Sequence, residues 1–250
     1  MQKELVFKLI ESAKEVLKNK SAEKVLGWKK GLFEDDITPC VFESAEELEK
    51  DFTYDENYCG NLCKYLLKQK GHKTAVFLTP KYVFSLNEMI KENRIKQEEV
   101  VVLDLPENTK AEEDRFARVK EIEAMSADER HEFWKKEFSR CIRCNACRDV
   151  CPACTCEKCV FDNNSLYTSQ KVAQNSFEES LYHIIRAWHV AGRCTDCGEC
   201  SRVCPEHIPL YLLNRKFIKD INEIYGEYQA GSDLETKPPM LTFKEDDEEV

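Results

Sequence analysis

Two cysteine runs with identical spacing constrain this chain more than any other feature. The first is Cys141-x2-Cys144-x2-Cys147-x3-Cys151-Pro152, and the second is Cys194-x2-Cys197-x2-Cys200-x3-Cys204-Pro205. Eleven of the 14 cysteines fall between Cys141 and Cys204, while the first 140 residues hold only Cys40, Cys59 and Cys63. A fold around such a segment must bring thiols together, and the setting decides whether they become disulfides or metal ligands. Met1-Gln2-Lys3-Glu4 does not open a basic-then-apolar secretory layout, so a reducing, cytoplasmic setting is expected, where clustered thiols bind metal.

The repeated C-x2-C-x2-C-x3-C-P spacing is the bacterial ferredoxin run. Three closely spaced thiolates on a tight loop suit three irons of one cubane, and the fourth cysteine ligates the other cluster in two-cluster ferredoxins. The following proline fixes φ and removes an N–H, which helps to turn the chain away from the cluster. By that rule one four-iron cluster takes Cys141, Cys144, Cys147 and Cys204. The other takes Cys194, Cys197, Cys200 and Cys151. Structural zinc also uses paired C-x2-C units, but it usually lacks the third evenly spaced cysteine and the trailing C-P. Cys154, Cys156 and Cys159 exceed what two clusters need. They read as packing thiols, as a redox-active pair, or as a third metal site completed by a cysteine such as Cys59 or Cys63.

Around these runs the pattern predicts an α+β protein. Leu5, Leu9, Ala13, Val16 and Leu17 make a helical stripe at the N-terminus. Thr38 to Phe42 reads as a short strand, and Ser44 with Glu47 caps an acidic helix. Asp55 to Lys70 reads as a helix that ends at Gly71 and puts Cys59 and Cys63 on one face. A strand at Thr74–Thr79, a helix at Ser85–Lys96 and a strand at Glu99–Leu105 form a parallel βαβ unit. The expected division is a small α/β docking domain over 1–110, a charged helical linker over 111–140, capped by Ser126 and Glu129, and a mainly helical ferredoxin domain over 141–228. An acidic, disordered tail over 229–250 follows. Within the cluster domain, Ser176 and Glu179 cap a helix whose stripe is Leu181, Ile184, Ile185 and Trp188, with Gly192 as its stop. A second amphipathic helix spans Ile208 to Tyr225.

Composition removes several function classes. A net charge of −10 disfavours a nucleic-acid partner, and no apolar run reaches the roughly 18 residues of a membrane span. A Walker phosphate loop, G-x-G-x-x-G and G-x-S-x-G are all absent, and eight glycines leave little from which to build a phosphate cradle. With four cysteines for each cubane no iron keeps an open position, which describes a wire and not a catalyst. Arg143, Arg148, Arg193 and Arg202 lie in the ligand loops, where they either favour the reduced clusters or serve solubility and docking. His183 and His189 read as packing or polar-face residues, and Trp28, Trp134 and Trp188 as core fillers.

Residues 141–208 resemble the helical dicluster ferredoxin domains of anaerobic redox complexes, such as the small subunit of heterodisulfide reductase and the iron–sulfur subunits of fumarate reductase type. The runs Cys-Pro-Ala-Cys-Thr-Cys at 151–156 and His-Ile-Ile-Arg-Ala-Trp-His-Val-Ala-Gly-Arg-Cys at 183–194 are similar to one subgroup. It comprises beta subunits of deazaflavin-type hydrogenases and formate dehydrogenases, sulfhydrogenases, and relatives associated with heterodisulfide reductase. Val25-Leu26-Gly27-Trp28, Thr38-Pro39 and Asn93-Arg94-Ile95 extend the likeness toward the N-terminus. The resemblance implies an electron-transfer subunit, not catalytic alone, with two 4Fe-4S clusters. Its implied partners are a heterodisulfide-reductase-like flavoprotein, a hydrogenase or a formate dehydrogenase. Where relatives carry a Gly-Cys-Asp-type turn and a further cysteine, this chain has Leu78-Thr79-Pro80-Lys81 and Asp104-Leu105-Pro106. The N-terminal domain is therefore expected to dock partners. The alternatives are a catalytic beta subunit binding a flavin or deazaflavin, and a zinc scaffold for assembly.

Overall fold

The computed structural model describes residues 2–33, 36–106, 114–162 and 177–239. The chain divides into two compact units, Met1–Asn108 and Thr109–Val250. The first contains helix α1 (Gln2–Lys18), strands β1 (Lys24–Lys30) and β2 (Ile37–Phe42), and helix α2 (Ala45–Asp51). A 3-10 segment, Cys63–Gln69, leads to β3 (Thr74–Leu78), α3 (Pro80–Lys91) and β4 (Val100–Asp104). The protein is α+β, with a small mixed sheet confined to this unit.

The sheet runs β2-β1-β3-β4. β1 pairs antiparallel with β2, setting Gly27 opposite Cys40, while β3 pairs parallel with β1 and β4. Every residue of β3 is buried, as expected of a central parallel strand covered on both faces. Trp28, Phe42, Phe52, Tyr54 and Phe77 form an aromatic core, with Phe52 and Phe77 ring centroids 5.2 Å apart. Gly27 admits them, because a Cβ there would stand 2.8 Å from the Phe52 ring.

The βαβ unit is present, with shifted helix bounds. α3 starts at Pro80, not Ser85, because Thr79 caps it by accepting from the Tyr82 amide and proline presets the φ of the first turn. It stops at Lys91, and Asn93 then takes a left-handed φ of 55°. The segment around Gly27 is strand β1. Its residues Val25 to Trp28 are all buried, so the alternation that marks a half-exposed strand is missing. The helix expected over Asp55–Lys70 is replaced by an Asx turn, in which Asp55 Oδ1 accepts from the Asn57 amide, followed by the 3-10 segment.

The second unit is helical: α4 (Ala117–Glu123), α5 (Ala127–Ser139), α6 (Ala146–Asp149), α7 (Phe177–His189), α8 (Glu199–Arg202) and α9 (Leu210–Tyr225). α7 packs on α5 and α9, α6 on α8, and α4 on α9. The charged stretch read as a linker thus forms α4 and α5. Val119 and Ile122 of α4 meet Leu212 of α9, and Glu123 pairs with Lys216 and Lys219 at 2.9 and 3.0 Å. Past α9 the chain stays folded through Tyr228 and Ala230, which pack on Ile221. Ser176 and residues 240–250 lie outside the described residues. Among the described residues, no helix is long and apolar enough to cross a membrane.

Candidate metal centre

The doubled sequence run becomes a doubled backbone. In each loop the residue before the second cysteine and the residue after it are left-handed. They are Arg143 and Asn145 in the first loop, at φ 55° and 64°, and Asp196 and Gly198 in the second, at φ 57° and 81°. Each loop then enters a short helix carrying its third cysteine, α6 with Cys147 and α8 with Cys200. Backbone amides turn toward sulfur as a result. The Arg143 amide donates to Cys141 Sγ at 3.4 Å, the equivalent Asp196 amide donates to Cys194, and the Glu199 amide donates to Cys197.

The loops exchange their last cysteines. Cys141, Cys144, Cys147 and Cys204 line one small hollow, together with Asn145, Tyr182 and His183. Cys151, from the end of the first loop, lies within electrostatic reach of Cys194, Cys197 and Cys200 instead. Burial pushes the Cys147, Cys194 and Cys197 thiols above their ordinary range and Cys200 up to about 11, and neighbouring thiols add to the rise. Such a neighbourhood resists ionisation until a metal supplies positive charge. Soft thiolates in fours are the donor set that iron–sulfur clusters take. Among the described residues no three His, Cys, Asp or Glu side chains converge on a single-ion position.

The surroundings of the two sets differ. In the second, Arg215 Nε reaches both oxygens of Asp196 at 2.9 and 3.0 Å, locking the left-handed residue to α9. Asn214 Nδ2 approaches Cys200 Sγ at 3.5 Å. Around the first, the Tyr182 hydroxyl donates to Asn145 Oδ1 at 3.0 Å. The Arg143 guanidinium lies 4.5 Å from the Tyr182 ring centre and 3.9 Å from the carboxylate of Glu179. The loop arginines are therefore engaged locally: Arg202 is held by Glu199 at 2.7 Å, Arg148 faces Asp149, and Arg193 donates to the His189 carbonyl.

Helix α7 turns only part of the expected stripe inward, with Ile185 packed against the core. Its buried positions are Glu179, Tyr182, His183, Arg186 and Ala187, whereas Ile184 and Trp188 are 47% and 56% exposed. Sequence reasoning missed Arg186 for that reason, having looked for arginines only inside the loops. His183 stacks on Phe138 with ring centroids 4.7 Å apart, and burial pushes its pKa down to about 3, so the imidazole is neutral. Trp134 stacks on Phe138, and Trp28 fills the first unit's core as expected; Trp188 does not fill a core.

Cys40, Cys59 and Cys63 belong to the first unit, whereas Cys159 packs against the second unit's apolar cluster that includes Cys141, Cys147 and Cys200. Cys59 and Cys63 are buried in the first unit's apolar core, where Cys59 Sγ accepts from the Asp55 amide at 3.3 Å and Cys63 Sγ donates to the Tyr82 carbonyl at 3.5 Å. Without the expected helix they share no helical face. Cys154 and Cys159 are half-buried and Cys156 is exposed on the second unit. Cys40 is half-buried on β2.

Comparison with known proteins agrees with this geometry. Residues 137–208 match the family described as 4Fe-4S dicluster domain. The F420-dependent formate dehydrogenase subunit beta of Methanocaldococcus jannaschii is 35% identical over 114 residues, which is 45% of this chain and 28% of that protein. The F420-dependent formate dehydrogenase 1 subunit beta of Methanococcus maripaludis is 27% identical over 111 residues, 44% of this chain and 27% of that protein. The matched stretch is thus under a third of either relative. This is an iron–sulfur chain whose residues 137–208 carry the 4Fe-4S dicluster pattern, similar in part to formate dehydrogenase beta subunits.

Proposed function

We propose that the chain relays single electrons through two 4Fe-4S clusters inside a cytoplasmic oxidoreductase complex of an anaerobe. One cluster is held by Cys141, Cys144, Cys147 and Cys204, the other by Cys194, Cys197, Cys200 and Cys151. The observation that carries this reading is the exchange of Cys151 and Cys204 between the two loops, which gives each set four thiols and brings the sets side by side. Partners of formate dehydrogenase, hydrogenase or heterodisulfide reductase type follow from the likeness to formate dehydrogenase beta subunits.

Anaerobically reconstituted protein should hold about eight irons with matching sulfide. Cys204→Ser should perturb the spectrum of the cluster bound by the first loop, and Cys151→Ser that of the second. About four irons in the native chain, zinc in place of iron, or serine variants that each disturb their own loop's cluster would overturn the assignment.

The F420 dependence named in both relatives we place on a partner. A hollow among the described residues of the first unit is lined by Glu4, Asp55 and Glu56 with Lys8 as its cation, a poor seat for a phosphate-bearing cofactor. A yellow chromophore retained by the purified chain would reverse that placement.

A further inference from the structure

A helix turns its charged stripe inward only where something repays the desolvation. Arg186 is 4% exposed, and none of its three guanidinium nitrogens has a hydrogen-bond partner among the described residues. It lies on the same face of α7 as Tyr182 and His183, which line the hollow of the first thiol set. Burial works against its charge, and the thiols of Cys200, Cys147 and Cys151, drawn from both sets, lie within its electrostatic reach. A buried guanidinium without a carboxylate costs several kcal/mol if nothing anionic faces it, and arginine does not escape that cost by losing its proton. Among the described residues the loop arginines each have a carboxylate, a ring or a carbonyl beside them, whereas Arg186 is buried with no hydrogen-bond partner.

We propose that Arg186 is the shared countercharge of the two clusters. A cubane with four thiolates is anionic and gains one more negative charge on reduction. A fixed cation facing both sets stabilises the reduced form of each and holds both potentials higher than the cages alone would set them. The redox event is one electron taken from the donor partner and later given to the acceptor partner. No bond forms or breaks at Arg186, and no proton moves there. Arg186 is thus a positioning and tuning residue, and this inference rests on the two-cluster reading above.

The test is a redox titration of the full chain, followed by paramagnetic resonance and visible absorbance, for the native protein and the variants Arg186→Met, Arg186→Gln and Arg186→Lys. At equal iron content, both midpoint potentials should fall in the Met and Gln variants, and Lys should restore most of the shift. Unmoved potentials in fully loaded Met and Gln variants would overturn the proposal, as would a shift confined to one cluster. Should Met and Gln fail to take up iron, Lys decides: loading at near-native potentials supports the countercharge, and failure to load shows that shape, not charge, matters. A native chain without two clusters defeats the underlying reading, whereas eight irons with unmoved potentials defeats only the role of Arg186.

Discussion

Asn145 and Gly198 show how little side chain the ligand loops require at one position and how much backbone they demand. Both are left-handed, and a Cβ on Gly198 would meet nothing within 4 Å. Gly198→Val should therefore cost about 1–2 kcal/mol through backbone conformation alone, read as lower thermal stability and slower cluster uptake. Asn145→Gly keeps the permitted φ but loses the Tyr182 contact, so it should load iron with a milder loss. Gly27 is the opposite case. Its backbone is ordinary strand, yet Gly27→Ala drives a Cβ into the buried Phe52 ring and should destabilise the first unit by about 1–3 kcal/mol, measured by denaturant unfolding. At this scale the spacing alone singled out the eight cysteines proposed as cluster ligands. Arg186 was not, since nothing in a local pattern distinguishes an arginine facing solvent from one facing thiols.

Among the elements, the caps read most directly from sequence. Ser126 accepts from the Glu129 amide at 3.3 Å, while Glu129 Oε2 accepts from the Ser126 amide at 2.8 Å, closing the box expected at the start of α5. Ser126→Ala should cost about 1 kcal/mol, visible as a lower melting temperature with the absorbance of the loaded protein unchanged. α7 shows where periodicity stops informing. Its apolar stripe was correctly located, but a stripe reports two faces and not which one turns inward. Where the interior holds thiols and a cation, Ile184 and Trp188 face out. The segment between Asp55 and Gln69 failed for another reason: the Asp55 side chain captured the Asn57 amide before a helix could. The helix expected from Ser85 begins earlier, because Thr79 caps it and Pro80 starts it.

For the whole molecule, the two units owe their stability to different sources. The first has one continuous apolar core, running from Leu9 through Trp28 and Phe77 to Leu105. The second has small apolar clusters, and the largest of them includes Cys141, Cys147 and Cys200 as buried members. Metal binding there becomes folding free energy. Heating the loaded chain should give two transitions, and removing iron with a chelator should lower only the one assigned to residues 109–250. A single transition, or one in which both parts respond equally to chelation, would contradict this division. The α+β class and the position of the helical part were legible because cysteine content and charge change abruptly along the chain. The recruitment of α4 and α5 into the second unit was hidden, because a charged helix with two buried positions looks like a spacer until its partner α9 is seen.

Because Cys204 stands among the thiols of the first loop and Cys151 among those of the second, the two halves are clasped like linked fingers. On the proposed assignment, neither loop cut away, duplicated or transplanted by itself would supply a full set of donors, so engineering of this segment would have to carry both loops together.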